Sequence, residues 1–165
     1  RLVPARPSAA WLARRMEAME EHAADGVIGL GGVGALDVAR VLGVKARSGH
    51  GVPVVTLPTT TQSVGLGPVA RALVAASGAE GATPALVLCD ATLTVAAPPL
   101  LTAAAGMDAL THCIEAYLST AWNPPADGMA VDGARRAVTW LERAVADGSD
   151  LEARREILAA ALNAG

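Results

Sequence analysis

The sequence predicts an α/β protein in which a parallel-sheet domain is followed by the start of an all-helical domain. Short apolar runs alternate with helical patterns in the first part of the chain, which is the order of strands and crossover helices in a parallel sheet. A glycine-rich turn follows the first apolar run, and only helical patterns occur after residue 96. We therefore place the two domains at residues 1–96 and 97–165.

The first domain begins with a predicted amphipathic helix. Ser8 is a favourable N-cap for a helix to about Ala24, and Leu12, Met16 and Met19 lie on one face of it. A second helical pattern covers residues 35–42. Apolar runs predict strands at residues 27–30, 52–57, 69–76 and 85–89.

The second domain shows three helical patterns, at about residues 100–119, 126–146 and 151–164. The connectors NPPAD and DGSD separate them, and both are rich in residues that end or cap helices. We expect three consecutive helices with short turns.

Composition narrows the functional classes. The 165 residues are 52% hydrophobic and 18% charged, which favours a globular chain over a disordered one. The net charge of -3 gives no electrostatic basis for binding nucleic acid or anionic membranes. No apolar run reaches the roughly 18 residues of a membrane span. Two cysteines and the lack of a recognisable secretion signal favour a reducing cytoplasm, so we expect a cytoplasmic protein.

The stretch VIGLGGVGALDVAR, residues 27–40, joins an apolar run to a helix through glycines. That order aims free backbone N–H groups and the positive end of a helix dipole at an anion. The pattern also fits a tight turn that needs glycine for backbone reasons alone. The PTTT stretch at residues 58–61 follows a second strand. Its hydroxyls could contact a cofactor, but the stretch alone favours an ordinary polar loop.

Asp108 and His112 lie four residues apart in the helical pattern GMDALTHCIEAY. In a helix both side chains occupy one face, together with Thr111 and Glu115, and both can reach one divalent cation. By spacing alone, the pair fits the solvated face of an amphipathic helix better than a metal site. Glu115 is a weak candidate for a third ligand. His22 and His50 have no partner at ligand spacing, so we expect both on the surface.

The order of the motifs is more specific than any one of them. GGVGALDVAR, PTTTQSVGLGP, CDATLTVAAPP, GMDALTHCIEAY and NPPAD follow one another over nearly the whole chain. In this order the sequence resembles the iron-containing (group III) alcohol dehydrogenases. Val33 stands at a glycine position of the family's turn, which predicts backbone strain if φ is positive there.

The resemblance implies a Rossmann-like dinucleotide-binding domain and a metal-binding helical domain, with metal and substrate between them. It implies hydride transfer between a primary alcohol or aldehyde and NAD or NADP, with iron or zinc as Lewis acid. Homo-oligomers are compatible with it. It places cofactor contacts at Gly32, Val33, Gly34, Thr59, Thr60 and Leu93, and metal ligands at Asp108 and His112.

The resemblance also implies two further histidine ligands after residue 165 and sheet strands before residue 1. We therefore expect an internal segment of a dehydrogenase, with negligible activity on its own. Two alternatives stay open. One is a degenerate paralogue that keeps the fold as a binding or assembly module. The other is a related enzyme such as a glycerol dehydrogenase or a dehydroquinate synthase.

Overall fold

The computed structural model describes residues 3, 7–46, 51–62 and 83–164. The chain divides into two compact units: an α/β unit of residues 1–57 and 66–88, and a helical unit of residues 58–65 and 89–165. The described elements are, in order, α1 (Ala9–Glu21), β1 (Val27–Gly31), α2 (Val33–Lys45), β2 (Val54–Pro58), β3 (Leu86–Val87), a 3₁₀ helix (Ala91–Thr94), α3 (Pro99–Tyr117), α4 (Pro124–Ala146) and α5 (Leu151–Asn163).

The described strands form one sheet in the order β1-β2-β3. Strand β2 runs parallel to β3, with Val55 opposite Leu86 and Thr56 opposite Val87. The predicted α/β fold with a parallel sheet is confirmed. The predicted strand at residues 69–76 lies outside the described residues, as does His50. Among the described helices, none combines the length and hydrophobicity that crossing a bilayer requires.

Helix α1 begins as predicted, because the Ser8 hydroxyl accepts a hydrogen bond from the Trp11 amide at 3.2 Å. Its apolar face supplies Leu12 to a core cluster with Val38 and Leu42 of α2. The helix ends at Glu21, three residues before the predicted Ala24. His22 follows as the exposed C-cap, which agrees with its predicted surface position.

The helical unit packs α3 against α4 through small residues. The buried face of α3 carries Ala105, Gly106, Ala109 and Cys113. The buried face of α4 carries Ala130, Gly133, Ala137 and Ala144. Side chains this small let two helix backbones approach closely. The larger apolar residues Ile114 and Tyr117 of α3 and its C-cap Leu118 are instead exposed.

Local capping explains why the helices begin where they do. The Asn123 side chain accepts a hydrogen bond from the Ala126 amide, and prolines occupy the first positions of α4. The Asp150 carboxylate caps α5 by accepting from the Ala153 amide at 3.0 Å. Because these signals are local, the sequence places the starts of α4 and α5 to within two residues.

Candidate functional site

The turn between β1 and α2 leaves backbone donors unsatisfied. Gly31 ends the strand with a φ of +144°, a conformation that favours glycine. Gly32 is the N-cap of α2 and has no side chain to bond the first amides. The N–H groups of Val33 and Gly34 have no hydrogen-bond acceptor among the described residues. A Cβ added at Gly34 would meet no atom within 4 Å, so the approach to these amides is open.

Val33 does not strain this turn. It is the first residue of α2, and Ala23 is the one described non-glycine residue with a positive φ. The strain expected from a branched residue at this position is therefore absent. The residue that needs the glycine conformation is Gly31, two positions earlier.

A buried ion pair lies in α2, just after the turn. Asp37 and Arg40 are almost fully buried, and Arg40 Nη1 is 3.6 Å from Asp37 Oδ1. Burial lowers the pKa of Arg40, and the neighbouring Asp37 charge opposes that shift. Both residues belong to the quoted glycine-turn motif, but their spacing alone did not mark them as an interior pair.

The other predicted cofactor contacts lie in the helical unit. Thr59 and Thr60 are half-buried, and neither hydroxyl has a hydrogen-bond partner among the described residues. The neighbouring Thr61 is 1% exposed, and its hydroxyl is likewise unpartnered. Leu93 is half-buried in the 3₁₀ helix.

The 3₁₀ helix that carries Leu93 is held by a side-chain cap. The Asp90 carboxylate accepts hydrogen bonds from the Thr92 hydroxyl at 2.6 Å and the Thr92 amide at 2.9 Å. These bonds, led by the one from the hydroxyl, lower the pKa of Asp90.

Asp108 and His112 lie on one face of α3, as their spacing predicts. His112 Nε2 is 3.7 Å from Asp108 Oδ1, and the side chains are 37% and 40% exposed respectively. The Thr111 hydroxyl donates a hydrogen bond to the Asp108 backbone carbonyl at 2.9 Å, and not to the Asp108 carboxylate. A carboxylate oxygen and an imidazole nitrogen side by side fit two positions of a divalent cation's coordination shell.

No third ligand completes the pair within the parts of the chain that the structure describes. Those residues contain no group of three or more histidine, cysteine, aspartate or glutamate side chains able to hold a metal. Glu115, the weak candidate, is exposed on the same helix and does not form such a group. The described residues thus supply two donors.

Residues 102–165 match the sequence profile described as Fe-containing alcohol dehydrogenase family, C-terminal. Along 96% of its length, the chain is 32% identical to a 4-hydroxybutyrate dehydrogenase of Cupriavidus necator, covering 48% of that protein. The chain belongs to the iron-containing alcohol dehydrogenase family. It is also 30% identical to an NAD-dependent methanol dehydrogenase of Bacillus methanolicus, with 91% of the chain and 45% of that protein covered.

A solved structure shows the same fold. Sulfoacetaldehyde reductase from Bifidobacterium kashiwanohense, in complex with NAD+, superposes with a TM-score of 0.80 at 24% identity, over 98% of this chain and 49% of that one. The chain thus spans about half the length of the curated relatives it matches. The Asp108–His112 pair falls inside the segment that matches the family profile.

A further buried residue, in the helical unit, was also not predicted from the sequence. Arg154 of α5 is 1% exposed and donates hydrogen bonds to three oxygens of the helical unit. A signal for it was present, because Arg154 lies three and four residues before the apolar Ile157 and Leu158. That spacing puts the arginine on the buried face of its helix.

Proposed function

We propose that this chain contributes two metal ligands and part of the cofactor site of a metal-dependent, NAD(P)-dependent alcohol dehydrogenase. The substrate class is a small primary alcohol and its aldehyde. The observation that carries the proposal is the Asp108–His112 pair, with its two donor atoms on one helix face inside the family-matched segment.

The α2 turn supports a role in cofactor binding. Two unsatisfied amides, the positive end of a helix and an open approach at Gly34 together suit a pyrophosphate. Thr59 and Thr60 offer hydroxyls that have no partner among the described residues, and Leu93 offers an apolar contact. One relative is named as NAD-dependent, and one structure of the same fold holds NAD+. We extend that cofactor class to this chain, as NAD or NADP.

The donor set supports a divalent metal. Asp108 would offer a carboxylate oxygen and His112 an imidazole nitrogen, a mixture that both iron and zinc accept. A catalytic site of this kind needs at least one more protein ligand, so further donors come from outside the described residues. When bound, the metal supplies Lewis-acid polarisation of the substrate oxygen.

When bound, the nicotinamide cofactor would supply the hydride acceptor for oxidation of the alcohol to the aldehyde, and the alcohol proton would leave to solvent. In this scheme the chain's own residues bind and orient the reactants, because the hydride chemistry belongs to the cofactor. Both relatives described above carry names of enzymes that act on primary alcohols, which supports this substrate class.

Metal binding gives the first test. Zn²⁺ is titrated against a chromophoric chelator into the natural full-length protein, because further donors come from outside the described residues. The Asp108→Ala variant is expected to bind it much more weakly. Glu142→Gln is the matched control, because it alters an exposed acidic residue of α4 away from the pair. Equal Zn²⁺ affinity in the unsubstituted protein and Asp108→Ala would contradict the proposed metal site.

Cofactor binding and turnover complete the test. NAD+ titration of Gly34→Asp is expected to show weakened binding, because a carboxylate there would repel the pyrophosphate. NADH formation from short primary alcohols is then followed in the natural full-length protein, with loss of turnover expected in Asp108→Ala. A protein that binds neither metal nor nicotinamide cofactor would instead be the non-catalytic paralogue.

A further inference from the structure

Arg154 is a buried cation that has only neutral acceptors. Its guanidinium donates to the Gly148 carbonyl at 2.6 Å, the Thr102 hydroxyl at 3.2 Å and the Ala97 carbonyl at 3.3 Å. It forms no salt bridge with a described carboxylate. Burial lowers the pKa of Arg154, and the negative charge of Asp147 partly opposes this shift. An apolar side chain of similar volume would avoid the cost of burying the charge. What the guanidinium adds is the direction of its three hydrogen bonds.

The three acceptors belong to three separate segments of the helical unit. Ala97 lies between the 3₁₀ helix and α3, Thr102 lies in the first turn of α3, and Gly148 lies in the connector between α4 and α5. The Thr102 hydroxyl also donates to the Ala97 carbonyl at 3.5 Å, which closes a small network. A Cβ at Gly148 would lie 2.9 Å from Arg154 Nη2, so the connector backbone approaches the guanidinium closely.

This network fixes the point where α3 begins. Residues 95–98 are the whole connection between the 3₁₀ helix and α3, and Arg154 bonds that connection at Ala97. Thr102 is six residues before Asp108, or about 9 Å along a helix axis. A small rotation of the first turn of α3 would therefore move both donor atoms of the pair.

On the basis of the function proposed above, we infer that Arg154 is a positioning residue for the metal pair. By holding Ala97 and Thr102, it sets where Asp108 and His112 lie relative to the 3₁₀ helix that carries Leu93. It acts through the backbone of α3 and touches neither donor. The competing explanation is that Arg154 only stabilises the packing of α5.

The test compares two neighbouring arginines of α5. Arg154→Met removes the three hydrogen bonds but keeps an extended side chain, whereas Arg155→Met removes an exposed arginine whose partner is Glu156. Zn²⁺ affinity of the natural full-length protein and of both variants is measured by chelator competition under conditions where circular dichroism shows the variants folded. We expect Arg154→Met to weaken Zn²⁺ binding about tenfold, the lower end of the loss seen when support of a ligand is removed. Arg155→Met is expected to leave it unchanged.

A double variant separates positioning from general destabilisation. In an Asp108→Ala background, Arg154→Met should weaken the residual Zn²⁺ binding no further, because the pair it positions is already broken. If Arg154→Met fails to fold, Thr102→Val decides, since it removes one acceptor at nearly constant volume. We expect Thr102→Val to weaken Zn²⁺ binding severalfold.

The outcomes distinguish this inference from the proposed function. Unchanged Zn²⁺ affinity in folded Arg154→Met or Thr102→Val overturns the positioning role while the metal site stands. An equal loss with and without Asp108 also overturns it. An unsubstituted protein that binds no Zn²⁺ overturns the proposed metal site, and the positioning role with it.

Discussion

The core of the α/β unit and the contact between α3 and α4 bury different kinds of residues. The α/β unit buries branched apolar side chains, such as Leu36, Val38 and Val54. The helical unit buries alanine and glycine between α3 and α4, while Leu118 and Trp122 are 72% and 90% exposed. In the α/β unit, the most hydrophobic residues therefore mark the core. At the α3–α4 contact, where the backbones approach closely, the smallest residues mark it instead.

The candidate sites of the two units also differ in the groups that they offer to a ligand. In the α/β unit the groups offered to an anion are backbone amides, which any residue supplies if the backbone conformation is allowed. In the helical unit the groups offered to a metal are the side chains of Asp108 and His112. Val33 is compatible with the first candidate site because its φ is not positive. A change of Asp108 or His112 would remove one of the two donors that the described residues supply to the second.

The largest expected effect tests the close packing of the helical unit. A Cβ at Gly133 would lie 2.6 Å from Cys113 Sγ, 3.0 Å from Asn163 Cβ and 3.3 Å from the Ala160 carbonyl. Gly133→Val should therefore lower the free energy of unfolding by about 3 kcal/mol, as measured by urea denaturation. The control is Gly128→Ala in the same helix, where a Cβ meets nothing within 4 Å. It should raise stability by about 0.5–1 kcal/mol. Similar urea midpoints for the two variants would show that α3 and α4 are not tightly packed there.

A second effect concerns the side-chain site alone. His112→Ala should weaken Zn²⁺ binding by more than about tenfold, because it removes a donor rather than a supporting group. The free energy of unfolding should change by no more than about 0.5 kcal/mol, since such small effects are usual for partly exposed residues. Thr111→Val on the same helix is the control. A large stability loss in His112→Ala would mean that the residue is structural.

A third effect concerns the backbone site. Gly31 has a φ of +144°, and a Cβ there would lie 2.9 Å from Ala35 Cβ. Gly31→Ala should therefore lower the free energy of unfolding by about 1–2 kcal/mol. Gly34→Ala, three residues later in the open first turn of α2, should cause no loss. Equal stability of these two alanine variants would contradict the strained conformation assigned to Gly31.

The smallest effect is a pH dependence at the start of α5. The Ala153 amide first, and then Arg143, lower the pKa of Asp150. A lowered folded-state pKa adds stability above the unfolded value of about 3.9, and that stability is lost as pH falls through the folded value. Thermal unfolding of Asp150→Asn should therefore depend less on pH below about pH 5 than that of the unsubstituted protein. Glu142→Gln is the control. Identical pH profiles for Asp150→Asn and the unsubstituted protein would refute this linkage.

Sequence predicted most of the fold where the determining signals are local. Helix α5 begins at the predicted residue because Asp150 caps it, and α1 begins where Ser8 caps it. The shared helix face of Asp108 and His112 also follows from local spacing. Their metal role stays a prediction, because the same spacing occurs in a solvent-exposed ion pair and further ligands must come from other elements.

What sequence did not reveal depends on contacts between elements. The exposure of Leu118 and the burial of Arg154 both depend on which face of each helix meets its neighbour. Hydropathy ranks Leu118 as a core residue and Arg154 as a surface residue. Leu118 is instead the exposed C-cap of α3, and Arg154 is buried where three oxygens accept its hydrogen bonds.

The packing of Cys113 gives the protein an internal reporter. Its thiol is fully buried, faces Gly133 and the Ala160 carbonyl, and becomes reachable when α3 and α4 separate. Cys89, by contrast, is exposed at the start of the segment leading to the 3₁₀ helix. A thiol reagent should therefore modify Cys89 promptly and Cys113 only at the frequency of local opening. The slower labelling rate, that of Cys113, would therefore report how often α3 and α4 separate locally, with no added probe.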